Sequence, residues 1–218
     1  MDFNPPPDAV ARKARSIQQL RRERVPVYDH LPTIEGEATS PRRRVEEVLE
    51  RSVALVCVAV KGESADDALG DYVCKYCDAS AFLTPREHDY LSNRDRLDRD
   101  HKQFHWRYEA AHVGYWALGL VQELGRPVSL CDVTHLSVLL KDHRVDGLLE
   151  MAKLRPQAEL LDAADLTYRY HWAARNEMLV GGRAPAGLNA GVILERHWML
   201  SWLTRSNCPG WDQIDVSI

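Results

Sequence analysis

A chain of 218 residues that is 45% hydrophobic and carries six Trp has enough apolar material to bury a core of its own, which excludes disorder beyond the ends. Its formal net charge of -4, with bases and acids interleaved along the chain, excludes a general nucleic-acid binder. The longest apolar run, Val53 to Val60, is far short of the ~20 residues a membrane helix needs. The five scattered cysteines, with no secretory leader pattern, predict reduced thiols in a cytoplasm.

Residues 1–7, with Pro5, Pro6 and Pro7, are expected to form a flexible terminus, and 8–218 a single helical domain. Asp8 is placed to cap a helix running to about Arg24, with Val10, Ala14, Ile17 and Leu20 on one side and the Arg/Lys face in water. The segment VPVYDHLPTIEGEATSP contains Pro26, Pro32, Pro41 and Gly36, and so runs extended as a connector. Ser40 before Pro41 reads as a cap, opening a helix from Arg42 to about Lys61 that Gly62 ends. The second half of that helix, SVALVCVAV, is β-branched enough for a strand. It continues the helical pattern of Val45, Val48 and Leu49, however, and a buried central helix is the stronger reading.

A short helix is expected over Asp66 to Asp78, and Thr84-Pro85-Arg86-Glu87 opens another to about Ser92. From Asp98 to Leu124 stretches the longest periodic segment, read as one helix. Asp132 caps the next, from Val133 to about Leu140, with a further piece near Val145 to Leu154. Arg155-Pro156 starts a long helix to about Val180. After the loop VGGRAPAGLNAG, Asn189 caps a last helix to about Arg205, and Trp211 ties down the tail. The sum is an all-α, mainly helical chain, a compact single-domain bundle of seven or eight helices with minor extended segments.

Projection of these helices sorts their polar residues by face, each residue advancing about 100°. His101, His105, Glu109 and His112 fall within one arc, and His105, Glu109 and His112 are candidate metal ligands. Phe104, Trp106, Tyr108, Tyr115 and Leu118 cover the rest of that helix, so the stripe is expected to be a solvated face. Arg107, by contrast, falls among the aromatic residues. His171 and Arg175 lie within the apolar stripe of the long helix, and Glu195 and Arg196 within that of the last one, with His197 and Ser201 outside it.

Unpaired charges in a core cost several kcal/mol, so Arg107, His171, Arg175, Glu195 and Arg196 are expected to meet in one polar cluster between three helices. Either it is a structural ion-pair network, or surplus positive charge there awaits a carboxylate or phosphate. In a catalytic version Glu195 and His171 would be the acid and base. Cys74 and Cys77 make a lone CxxC, read as one turn of helix. No nucleophile elbow and no glycine-rich phosphate loop occurs, and no cofactor is called for.

The segments RKARSIQQL, VPVYDHLP, WRYEAAHVGYWALGLV, CDV, LRPQAELLDAADLTYRYHWAAR, GLNAGVILERHWMLSWL and WDQID resemble, in order, the uncharacterised and mainly bacterial family catalogued as domain of unknown function 4272. The resemblance spans nearly the whole chain and implies no activity, cofactor or catalytic residue. The residues themselves suggest a non-enzymatic cytoplasmic binding or interaction protein, one version being an immunity-type protein that neutralises a toxin. The alternative is an enzyme or small-anion binder using the polar cluster. The expected partner is accordingly another protein or a small anionic ligand, with no nucleic acid and no membrane.

Overall fold

A computed structural model describes residues 4–63, 67–93, 97–208 and 210–218. The helices are α1 (Pro7–Arg22), α2 (Val45–Glu63), α3 (Asp67–Tyr76), α4 (Pro85–Ser92), α5 (Asp98–His105), α6 (Arg107–Ala117), α7 (Val133–Met151), α8 (Gln157–Leu179) and α9 (Ala190–Thr204). No strand occurs among the described residues, and the all-α class holds. None of these helices is long and apolar enough to cross a membrane. The chain divides into two compact units, the first made of Met1–Arg42, Gly125–Ser129 and Arg155–Ile218, the second of Arg43–Leu124 and Leu130–Leu154.

The second unit is organised by α2, against which α3, α4, α5, α6 and α7 all pack. The cause is in its sequence: Val48, Leu49 and every residue from Val53 to Val60 are buried, and a helix apolar on all sides belongs in the middle. Its start differs from expectation. The Ser40 hydroxyl donates to the Thr204 carbonyl instead of capping, and it is the Glu47 carboxylate that accepts from the Arg44 N–H as α2 opens at Val45. Nor does Gly62 stop the helix. A Cβ there would run into the His105 amide nitrogen and lie 2.8 Å from the His101 carbonyl oxygen, so this glycine lets the α5 backbone approach.

Within the same unit α4 opens on the expected Thr84–Glu87 capping box, and its Glu87 carboxylate also takes two 2.6 Å bonds from buried Arg51. The single helix expected over Asp98 to Leu124 does not form. It is divided at Trp106 and ends at Ala117, where Gly119 adopts φ +72. The Gly119 N–H donates to Trp116 and the Leu120 N–H to Tyr115, the paired bonds that close a helix through a left-handed residue. Helix α7 is capped by Asp132 and kinks at Arg144, where the sequence suggested two pieces.

In the first unit α8 packs against α1 and α9. Leu20, Val25, Tyr170, Ala173, Ala174, Leu188 and Ile193 form an apolar cluster there. Charges are threaded through the same interior. Arg169 makes a two-pronged ion pair with Asp165 at 2.8 and 2.9 Å, both side chains fully buried. Buried Arg12 reaches Asp8, Asp162 and the Glu35 carbonyl. These bonds, with Lys13 donating to the Asp29 and Leu31 carbonyls, bind the extended connector to α1. Helix α9 begins at the expected cap, the Asn189 Oδ1 accepting from Gly191 and Val192. Trp211 holds the tail by packing against Trp198 and Trp202, as expected of it.

Candidate functional site

Two groups of chemically capable side chains stand out, one in each unit. In the first unit, α8 carries His171 and α9 carries His197, both buried, and their Nδ1 atoms are 2.8 Å apart. One ring must therefore donate its Nδ1 proton and the other accept. Burial lowers both pKa values. His171 falls to about 4, with the nearby positive charge of Arg175 contributing. His197 falls to about 3 under burial, His171 and Arg205 together. At neutral pH the pair is two uncharged imidazoles, able to give and take hydrogen bonds without a charge to balance.

His197 also forms part of the wall of a cavity of about 590 Å³. Tyr168, Ser201, Thr204 and Arg205 line it from the helical side, and the connector from Pro32 to Gly36 lines the other. The wall is rich in hydroxyl groups and carries one cation, Arg205, and one carboxylate, Glu35. Arg205 is held by an Nη1 bond of 2.6 Å to the Asp215 carbonyl.

The residues singled out in the sequence fall as follows. Glu195 and Arg196 are buried on α9, and Arg196 donates through Nη1 to the Gly125 carbonyl at 2.9 Å. His171 is buried, whereas Arg175 is exposed. Projection gives the face of a helix but not how far along its axis neighbours extend. The last turn of α8 runs past its cover, leaving Met178 and Leu179 exposed as well. His197 and Ser201, placed outside the stripe, are in fact buried because α9 is covered on nearly every side. Arg107 is buried on α6, in the second unit.

In that second unit the expected solvated face of α6 is not solvated. All 11 residues of α6 are buried, Glu109 and His112 included. Their spacing of three residues puts both on one side of the helix. The partner that joins them is not His105 but Cys131, on the segment entering α7. One ligand atom from each of Glu109, His112 and Cys131 lies within 4.8 Å of the others. The Cys131 N–H donates to Glu109 Oε1, fixing the segment against α6. Sequence reasoning missed Cys131 because its nearness to Glu109 is purely tertiary; the one local signal is that Asp132, its neighbour, caps α7 and so fixes where the thiol starts.

Cys74 on α3 and Cys77 just past its last residue sit one helical turn apart as expected, the Cys77 N–H donating to the Val73 carbonyl, and with Cys57 they form a second thiol group. The Cys57 thiol of α2 is hydrogen-bonded to those of Cys74 on α3 and Cys77 just beyond its end, and those bonds, with burial, hold its own pKa well above the ordinary thiol range. Among the described residues no disulfide is formed.

The family model described as domain of unknown function (DUF4272) matches residues 12–214. The chain belongs to this family. No curated protein and no solved structure matches it. In this DUF4272 chain the matched span contains the histidine pair, Arg205 and the Glu109–His112–Cys131 group, so both sites lie within the family domain.

Proposed function

We propose that this DUF4272 chain is a cytoplasmic, non-enzymatic binding protein whose small polar ligand occupies the cavity beside His197. The observation that carries the reading is the cavity itself. Its volume of about 590 Å³ falls in the range of small-molecule sites. Its wall offers hydroxyl groups and an uncharged imidazole as directional hydrogen-bonding partners, while the single cation Arg205 suits one acidic group and not a polyanion. The anion expected from the sequence is thus proposed here with a different cation, since the cavity is lined by Arg205 and by neither Arg175 nor Arg196. The five cysteines, odd in number and scattered along the chain, support a reducing compartment.

The test is thermal shift against a panel of small carboxylates, phosphates and polar metabolites. A ligand at 100 times its dissociation constant adds about 2.7 kcal/mol of stability. Thr33→Trp and Asn207→Trp place bulk in the lining at partly or fully exposed positions, and each is expected to abolish that shift while leaving the helical circular dichroism unchanged. No shift with any compound, or a shift unaltered by both substitutions, defeats the reading.

One observation favours a protein partner instead, in the manner of a bacterial immunity-type protein: Met178, Leu179 and Val180 at the end of α8 are 53%, 76% and 77% exposed. Consecutive exposed apolar residues mark contact surfaces more often than chance. Capture of a stoichiometric partner that Leu179→Glu releases would favour this second reading.

A further inference from the structure

From the geometry of the second unit we infer that Glu109, His112 and Cys131 bind a thiophilic divalent cation, zinc foremost, through three protein ligands and an open fourth position. This site is separate from the cavity of the first unit and does not depend on what that cavity binds.

The first argument is the donor set. A thiol, an imidazole and a carboxylate are the side chains zinc prefers, and the thiolate sulfur selects against magnesium and calcium. The second is placement. The three ligand atoms lie within 4.8 Å of one another, and a tetrahedral ion with bonds near 2.0–2.3 Å needs them roughly 3.5 Å apart, a closure that side-chain torsions supply. Glu109 and His112 come from a rigid helix and Cys131 from another element, so the ion would clamp the segment before α7 onto α6.

The third argument is orientation. The Cys131 N–H already holds Glu109 Oε1, a bond from the segment that carries the thiol, and so fixes the carboxylate plane beside it. Burial differs across the group: Glu109 is 1% exposed and His112 9%, while Cys131 is half-buried. The accessible side of the site is thus at the thiol, where a water or a ligand atom completes the coordination. Metal binding requires the Cys131 thiol to release its proton to solvent as the sulfur–metal bond forms, so affinity falls as pH is lowered.

The experiment uses the full chain without a histidine tag, purified without chelator and then exposed to zinc at micromolar free concentration. The expected result is one zinc per chain by elemental analysis. Cys131→Ser and His112→Gln are each expected to weaken binding on the order of 100-fold, since loss of a hydrogen bond that merely orients a ligand already costs up to that much. Cys77→Ser leaves it unchanged. Cobalt(II) in place of zinc gives a readout that needs no variant: a sulfur-to-metal band with the intensity of one thiolate. Failure to bind a stoichiometric ion overturns the proposal, as does full binding by Cys131→Ser. A cobalt band of two or three thiolates, or loss of metal in Cys77→Ser alone, would assign the ion to the Cys57–Cys74–Cys77 group and equally overturn it.

Discussion

Helix α2 of the second unit and helix α8 of the first fill an interior with different chemistry. The second unit is built on α2, whose residues from Val53 to Val60 are apolar or small and whose burial follows from the hydrophobic effect alone. In the first unit Asp165 and Arg169 on α8 are both fully buried, Arg12 on α1 is buried too, and the histidines of α8 and α9 face each other uncharged; the second unit also buries charge, in the Arg51–Glu87 pair, but outside the apolar run of α2. An apolar helix declares its position by itself. A charged one does so only once its partners are known, and the comparison shows why buried charge is the harder feature to read in either unit.

The largest expected effect tests that contrast directly. Arg169→Ala strips the cation from a carboxylate with no exposure, and breaking such a pair costs about 3–5 kcal/mol. Leu55→Ala, in α2, is expected to cost about 2–5 kcal/mol, as buried Leu deletions do. The distinguishing variant is the double change Asp165→Leu with Arg169→Met. If the ion pair is merely tolerated, removing both charges together recovers most of the loss, whereas no second substitution is expected to refill the Leu55 void so well. Urea denaturation measures all three variants against the parent chain. An Arg169→Ala loss under 1 kcal/mol would erase the distinction between the two helices.

Much of the fold was legible because its signals are local. The Thr84–Glu87 box, the Asn189 cap and the all-round apolar pattern of α2 each act within one or two turns, and the structure has all three. The misreadings arise where the decisive contact lies elsewhere in the chain. Ser40 has the sequence of a cap, but its hydroxyl is taken by Thr204, 164 residues away. Gly62 has the look of a helix stop but serves a close approach of α5. For the candidate sites the same holds: Glu109 and His112 share a face in any projection, but only the fold buries that face and brings Cys131 to it. His197 was assigned to the outside of α9 because projection assumes an outside exists. Asp165 and Arg169, by contrast, carried an unused local signal, opposite charges four residues apart on a helix.

A smaller effect follows from the histidine pair of the first unit. Folding holds the pKa values of His171 and His197 at about 4 and about 3, below the value near 6.5 of an unfolded imidazole. Between those limits the unfolded chain binds more protons, so this contribution is present in full above pH 6.5 and is lost as pH falls. The slope approaches 1.4 kcal/mol per pH unit for each proton involved. Asp8 and Glu23, with lowered carboxyl pKa values, act in the same direction but below about pH 5. The interval from pH 6.5 to 5 is therefore where the histidines dominate. Denaturation midpoints taken across it are expected to fall, and to fall less steeply in His197→Gln. An identical slope in the variant would remove the uncharged pair from the account of this unit.

The smallest effect sets the two units side by side at one motif. Helix α1 ends as α6 does, through a residue in the left-handed region followed by two backward hydrogen bonds. In α1 that residue is Arg24 at φ 59, its N–H donating to Arg21 and that of Val25 to Leu20. In α6 it is Gly119 at φ +72, bonded to Trp116 and followed by Leu120 on Tyr115. A side chain in this conformation costs roughly 1–2 kcal/mol that glycine avoids. Arg24→Gly relieves that strain but loosens the unfolded chain by about 0.4–1 kcal/mol, leaving a net gain between about zero and about 1.6 kcal/mol. Gly119→Ala runs the other way, and its new Cβ would also press to 3.3 Å from the Lys153 carbonyl oxygen, so a loss of at least about 1 kcal/mol is expected. Opposite signs at the two positions would show that the caps are energetically equivalent and differ only in the residue each carries. A loss at both would mean that the exposed Arg24 side chain stabilises α1 in a way its backbone conformation conceals.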